Sequence, residues 1–125
     1  PSATYAADSL RAAQEIAAAA REWARSRAAE TKPAIGIGVS VAVGQVVFGA
    51  VGDASRLEFT VIGEPVNLAA KLEKHTKVEG AKALATSEAY RLAREQGFAP
   101  ASPIEERLAR HVEGLASPVD IVMLG

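Results

Sequence analysis

The feature that most constrains the fold of this chain is an apolar stretch whose periodicity changes at one glycine. Residues 57–62 read Leu-Glu-Phe-Thr-Val-Ile and favour a strand, whereas residues 64–73 read Glu-Pro-Val-Asn-Leu-Ala-Ala-Lys-Leu-Glu and place apolar residues at helical spacing. Gly63 stands between them, and Pro65 suits the first turn of a helix, where its missing N–H costs nothing. The stretch therefore predicts a strand that turns at Gly63 and continues into a helix.

Three polar residues in this stretch stand out from the apolar pattern. Thr60 interrupts an apolar run in the middle of the strand, Asn67 lies in the first turn of the helix, and Lys71 follows it four residues later on the same helix face. A helix N-terminus attracts anions, so an amide and an ammonium on that face would suit a group such as a phosphate. A solvated polar face and an ordinary strand threonine are the alternative, and spacing alone favours that alternative.

The remaining segments predict a mixture of helices and strands. Alanines at three- and four-residue spacing predict a first helix over residues 2–29, whose flat alanine stripe packs against a sheet. Further helices are predicted at 64–76 and 87–96, and strands at 35–43, 45–51, 56–62, 83–86, 108–112 and 119–124. Short connections between the first three strands predict an antiparallel meander or hairpin. The mixture indicates a single α+β domain over residues 1–125.

Composition and charge exclude several classes of function. A net charge of −1 with scattered lysines and arginines argues against nucleic acid as a partner. The absence of cysteines removes disulfides and thiolate sites and fits a reducing compartment. Residues 33–52 carry no charge and could be mistaken for a membrane span, but five glycines and several valines favour strands there. No direct membrane contact is therefore expected.

The common motifs of catalysis and metal binding are missing from the sequence. Gly36 and Gly38 do not belong to a dinucleotide fingerprint, and no glycine-rich phosphate loop occurs. His75 and His111 have no close carboxylate or histidine partner at metal-ligand spacing, which favours structural or surface roles. The acidic residues are dispersed without a pair typical of a two-metal site, so no metal ligand is predicted within this chain.

Taken together, residues 37–52 and 56–73 resemble the catalytic domains of class III adenylate/guanylate cyclases. The family pattern is a glycine-rich hairpin, a strand of the type Tyr/Phe-Thr-Val-x-Gly, and then Val-Asn-Leu-Ala-x-Arg/Lys-Leu-Glu. The match is dense over residues 35–73 and looser through residues 86–90 and 112–120. The resemblance implies an α+β fold with a ferredoxin-like, cyclase-type antiparallel sheet and packed helices.

The resemblance also implies an activity. Such domains convert ATP or GTP to the 3′,5′-cyclic nucleotide and pyrophosphate at the interface of a homodimer, here a cytoplasmic one, in cyclic-nucleotide signalling. Thr60 falls at the base-reading position and favours ATP, Asn67 falls at the ribose position, and Lys71 falls at the position of an arginine that stabilises the transition state. Gly63 and Val66, at the helix start, are expected to contact the nucleotide.

The same resemblance places part of the family site outside this chain. The two aspartates that hold Mg²⁺ or Mn²⁺ in the family lie on strands that precede the alanine-rich helix. Those N-terminal strands and metal ligands are expected upstream of residue 1, so the 125-residue chain alone is expected to be inactive.

Two residues depart from the family pattern. Lys71 keeps a positive charge but lacks the planar fork with which arginine binds phosphoryl oxygens. Glu113 precedes the glycine of the last hairpin, where the family commonly has a basic residue. These departures motivate an alternative, a degenerate cyclase-like domain that dimerises or senses nucleotide without catalysis.

Overall fold

The computed structural model describes residues 2–125, except for the side chains of Val51 and Phe59. Its elements, in chain order, are α1 (Tyr5–Ala29), β1 (Val39–Val41), β2 (Val47–Asp53), β3 (Arg56–Ile62), α2 (Glu64–Glu79), β4 (Ala83–Thr86), α3 (Ser87–Glu95), β5 (Glu105–Arg110) and β6 (Val119–Met123). The mixed α+β class expected from the sequence is confirmed.

The strands form a four-stranded sheet in the order β1-β4-β6-β5 and a separate β2–β3 hairpin. β1 pairs with β4 in parallel, and the other neighbours pair antiparallel. The predicted hairpin is confirmed by the antiparallel pairing of β2 with β3, whereas the alternative, a meander of three strands, is wrong because β1 pairs with β4 instead of β2. A parallel pair needs a long crossover, and the chain from β1 to β4 supplies one that contains the hairpin and α2.

The bounds of several predicted elements also change. β1 covers only residues 39–41, because its register extends over three residues of the short strand β4. α2 continues three residues beyond its predicted end at residue 76, and Gly80, with φ of +69°, terminates it in the left-handed conformation that glycine adopts freely. β5 covers residues 105–110 instead of 108–112, because an edge strand with one face toward solvent can be built from charged residues.

Helices cover both faces of the sheet. Successive residues of a strand point to opposite faces, so Ala83 and Ala85 of β4 join the core beside α1 and α3, while Leu84 joins a second core with Leu72 of α2. The alanine stripe of α1 is confirmed as a packing surface, and its buried residues are Ala6, Ala7, Leu10, Ala13, Ala17 and Ala20. Small side chains allow this helix to approach α3 and the sheet closely.

The β2–β3 hairpin packs mainly on itself and leads directly into α2. Its apolar side chains are largely exposed, with Val47 and Phe48 each 70% exposed and Leu57 63% exposed. Gly63 joins β3 to α2, and a Cβ there would lie 2.9 Å from the carbonyl oxygen of Gln45. Only glycine therefore allows the backbone of the turn to pass this close to the start of β2.

Residues 33–52, which could be mistaken for a membrane span, contain β1 and most of β2. None of the helices in residues 2–125 combines the length and apolar character needed to cross a bilayer.

Candidate functional site

One face of α2 lies opposite residues 111–118, the connection between β5 and β6. This helix face and this connection form the candidate site. A groove of about 950 Å³ opens at the N-terminal end of α2. Gly63 and Asn67 line it on the helix side, and Leu115 and Pro118 line it on the side of the connection. Asn67 is exposed there, so its amide can both donate and accept hydrogen bonds.

A smaller cavity of about 260 Å³ lies further along the same surface of α2, where Lys71 meets Gly114. Gly114 has φ of +90°, and a Cβ at this position would lie 2.8 Å from Cε and 3.1 Å from Nζ of Lys71. The half-buried lysine therefore lies across the turn of the connection. Asn67 and Lys71, predicted to share a helix face, both contact the segment 111–118 or the groove that it lines.

Charges of both signs surround these cavities. Lys71, Lys74 and His75 line the smaller one together with Glu113. The larger groove contains carboxylates at two points of its wall, Glu64 and Glu88. A bound anion is therefore best neutralised at the lysine end of the α2 face, while the groove at Asn67 suits an uncharged polar group.

The start of α2 is held by the residue that the sequence placed at the turn. The carbonyl of Gly63 accepts hydrogen bonds from the N–H groups of Val66, at 3.1 Å, and Asn67, at 3.5 Å. These short-range bonds fix the first turn of α2, and they set the direction in which Asn67 enters the groove.

Thr60 and Val66 lie apart from the groove that Asn67 lines. Thr60 is half-buried on the hairpin, paired with Gly49 across the strands. Val66 lines another cavity, together with Tyr5 and other residues, on a different side of α2. Within one copy of the chain, the structure thus brings Asn67, Gly63 and Lys71 to one surface and places Thr60 and Val66 outside it.

A buried carboxylate that the sequence reasoning did not single out lies at the C-terminal end of α2. The side chain of Glu79 is fully buried and accepts hydrogen bonds from His75 Nε2 at 2.6 Å, from Arg107 Nη1 at 2.7 Å, and from Arg110 Nε and Nη2 at 2.8 Å each. These four residues are called the Glu79 cluster below. The expectation that His75 lacks a carboxylate partner is wrong, and the i, i+4 spacing of His75 and Glu79 was the signal that could have revealed it.

The charges of the cluster compensate for the cost of burying the carboxylate. The guanidinium of Arg110, followed by Arg107 and His75, lowers the pKa of Glu79 from 4.5 to about 2, although burial acts in the opposite direction. The same contacts raise the pKa values of Arg107 and Arg110. Glu79 is therefore ionised throughout the physiological pH range.

A β-bulge brings the two arginines of the cluster to the same side of β5. Residues three apart in a regular strand point to opposite faces, but the register of β5 against β6 shifts between Arg107 and Arg110. Ala109, in the bulge, has φ of +50°, and its N–H donates a 2.7 Å hydrogen bond to Oδ1 of Asp120. Asp120 thus supports the backbone conformation that lets both arginines reach Glu79.

The described residues do not fit a resident divalent cation. Over residues 2–125, no three histidine, aspartate or glutamate side chains come together in a group that could hold a metal ion. Glu79, the most buried carboxylate of the site region, already binds two guanidinium groups.

Comparisons with known proteins identify the fold. No family model matches the chain. The guanylyl cyclase Cya2 superposes with a TM-score of 0.66 and 24% identity over 93% of this chain and 57% of that one. A bacterial light-regulated adenylyl cyclase superposes with a TM-score of 0.52 and 21% identity over 66% of this chain and 22% of that one.

Mycobacterial proteins are more similar in sequence. The uncharacterized protein Rv1318c of Mycobacterium tuberculosis is 40% identical over 100 residues, which cover 80% of this chain and 18% of that protein. The uncharacterized protein Mb1354c of Mycobacterium bovis is 43% identical over 82 residues, 66% of this chain and 14% of that protein. The chain thus spans less than a fifth of the length of these curated relatives. The chain therefore has the fold of these two cyclase structures, which confirms the cyclase-type fold expected from the sequence.

Proposed function

We propose that the protein carrying this chain is a nucleotide cyclase that converts ATP, in preference to GTP, to the 3′,5′-cyclic nucleotide and pyrophosphate. The observation that supports this proposal most strongly is the surface of α2 on which Asn67 and Lys71 face residues 111–118, within a cyclase-like fold. An amide in a groove that suits an uncharged polar group and an ammonium one helical turn away match the order of ribose and phosphate in a nucleotide.

Each residue has a role that follows from its chemistry. The amide of Asn67 holds the ribose by donating and accepting hydrogen bonds. The ammonium of Lys71 neutralises charge that develops on phosphoryl oxygens, where loss of a well-placed donor costs on the order of 10²–10³ in rate. Because lysine lacks the bidentate fork of arginine, it recovers only part of this factor. Thr60 reads the base edge, and Gly63 and Val66 contact the nucleotide at the helix start.

In the proposed reaction the 3′-hydroxyl of the ribose loses its proton to solvent and its oxygen forms a bond to the α-phosphorus. The bond between the α-phosphorus and the oxygen that bridges to the β-phosphate breaks, and that oxygen leaves with pyrophosphate. Divalent Mg²⁺ or Mn²⁺ supplies charge neutralisation on the triphosphate in such reactions. Because the described residues do not fit a metal site, we assign the metal ligands to residues outside residues 1–125, and we treat this chain as the partial catalytic domain that positions the nucleotide.

The proposed active form is a homodimer in the cytoplasm, as part of a larger signalling protein. The hairpin supports this proposal because it exposes Val47, Phe48 and Leu57 while packing little against the rest of the chain. Burial of these side chains against a second copy would remove apolar area from water.

The test is the product formed by the complete protein. With ATP and Mn²⁺ it should release cyclic AMP and pyrophosphate in equal amounts, and GTP should react more slowly. The isolated 125-residue chain under the same conditions should form neither product. Cyclic AMP made by the isolated chain would show that its own residues complete the site, contrary to the assignment above.

A second candidate function rests on Glu113. Its carboxylate lines the same cavity as Lys71 and adds negative charge where a polyphosphate would lie. A degenerate domain that dimerises or senses nucleotide would tolerate this charge better than an enzyme. Binding of ATP by the complete protein without formation of cyclic nucleotide or pyrophosphate would favour this candidate.

A further inference from the structure

The Glu79 cluster joins α2 to β5 through bonds that leave little freedom between the two elements. Both carboxylate oxygens of Glu79 are occupied, one by Arg107 and Arg110 and the other by Arg110 and His75. The backbone carbonyl of Glu79 also accepts a bond from Arg107 Nη1 at 3.3 Å. Arg110 therefore binds the buried carboxylate of Glu79 through two parallel hydrogen bonds. This bidentate geometry fixes the orientation of the guanidinium as well as its distance from the carboxylate.

The cluster lies directly beside the candidate site on both of its elements. On α2, His75 belongs to the cluster and also lines the cavity of Lys71, which is one helical turn away. On the other side, Arg110 is the last residue of β5, and the segment 111–118 begins immediately after it. Gly114, over which Lys71 lies, is four residues beyond this anchor.

We propose that Glu79 and Arg110 are positioning residues, which set the distance between the α2 face and the segment 111–118 and thereby hold the ammonium of Lys71 over Gly114. The inference deepens the proposed nucleotide cyclase function and rests on it for its kinetic consequence. Neither residue touches the proposed nucleotide; each acts through the backbone that it anchors.

A purely stabilising role makes a different prediction from a positioning role. A cluster that only stabilises the fold would, when weakened, increase opening throughout the domain. A positioning cluster would loosen the segment 111–118 more than the core beside α1 and α3, because opening free energies differ between regions of one domain.

The experiment compares Glu79→Gln and Arg110→Lys with the parent in the complete protein, by amide hydrogen exchange. Arg110→Lys keeps the charge but removes the bidentate grip, and it carries the test if Glu79→Gln does not fold. The matched control is Glu105→Gln, because Glu105 bonds Arg107 at 2.9 Å from an exposed position on β5 and does not join β5 to α2. Amides of residues 111–118 should exchange about tenfold faster or more in both test variants, the factor expected from loss of a charge-assisted hydrogen bond.

Exchange in α1 and α3 should rise by a clearly smaller factor than exchange at 111–118 in Arg110→Lys, because those core amides open only with the whole domain, and the control should match the parent everywhere. Unchanged exchange at 111–118 in Arg110→Lys, or an equal increase in α1, α3 and 111–118, would overturn the proposal. The kinetic readout is a kcat for cyclic nucleotide formation about tenfold lower in Arg110→Lys with a nearly unchanged KM, because Lys71 is assigned to the transition state.

The structural role of the cluster and its role in the reaction are tested by different measurements. If the parent protein forms no cyclic nucleotide, the proposed function is wrong, and the exchange pattern alone decides whether the cluster positions the segment 111–118. If the parent is active and the exchange pattern is local, but kcat in Arg110→Lys equals that of the parent, the positioning role in the reaction is overturned.

Discussion

Gly114 is the residue through which the backbone of the β5–β6 connection meets Lys71. Gly114→Ala should destabilise the domain by about 1 kcal/mol, because φ of +90° strains an alanine and the new Cβ displaces the end of the lysine. Thermal unfolding measures the change. Gly36→Ala is the matched control, since a Cβ at Gly36 meets no atom within 4 Å, and its effect should stay within about 0.5 kcal/mol. Equal losses in the two variants would contradict the described contact.

Glu79 should make the fold sensitive to acid. Its pKa is lowered from 4.5 to about 2 in the folded chain, chiefly by Arg110. The folded state therefore binds the proton more weakly than the unfolded state, and the stabilisation is complete above pH 4.5 and lost as the pH falls toward 2. It amounts to on the order of 3 kcal/mol.

Urea unfolding of the parent and of Glu79→Gln across this pH range measures that contribution. The variant should be less stable than the parent near neutral pH, and the difference should shrink as the pH falls. A difference in unfolding free energy that does not change with pH would show that the carboxylate is not ionised in the folded state.

At the scale of elements, the N-terminus of α3 contains two hydroxyls with opposite expected effects. Thr86 caps the helix by accepting a 3.1 Å bond from the N–H of Ala89, whereas the buried Oγ of Ser87 has no partner among the described atoms. Thr86→Ala should cost about 1–2 kcal/mol. Ser87→Ala should be neutral or stabilising, because it removes a buried polar atom that makes no bond. Chemical denaturation of the two variants measures both effects, and a larger loss in Ser87→Ala would contradict the assignment.

Elements built from local patterns could be predicted from the sequence, and long-range pairings could not. The strands at 56–62 and 83–86 were predicted residue for residue, since an apolar run bounded by glycine, or by a helix start, is visible in sequence. The pairing of β1 with β4 was not, because nearness in sequence favours the hairpin partner, whereas the long crossover through α2 decides the actual one.

The same distinction between local pattern and long-range packing applies to the candidate site. The shared helix face of Asn67 and Lys71 follows from their spacing, whereas its contact with residues 111–118 depends on how α2 packs on the sheet. The hydrogen bonds of Arg107 and Arg110 to Glu79 depend on the bulge at Ala109, and no local residue pattern predicts that bulge. The bond of His75 to Glu79 lay within reach of sequence reasoning, through the i, i+4 spacing.

For the molecule as a whole, the exposed hairpin should control self-association. Val47→Asp in the complete protein should weaken the proposed homodimer at least about tenfold, because a charge replaces an apolar side chain at the interface. Val78→Asp is the matched control, since Val78 is 74% exposed on α2 and outside the hairpin. Sedimentation equilibrium measures both. An unchanged dimer in Val47→Asp, or equal weakening in Val78→Asp, would place the interface elsewhere.

The central claim, that the α2 face positions a nucleotide for cyclisation, is tested most directly at Asn67. Cyclic AMP formation is measured in the complete protein, its Asn67→Ala variant and, as a control, Lys77→Ala, whose exposed side chain lies at the C-terminal end of α2. We predict an active parent, an unchanged Lys77→Ala, and a kcat for Asn67→Ala lower by about 10² or more, because the ribose loses its positioning bonds. An Asn67→Ala protein as active as the parent would contradict the account.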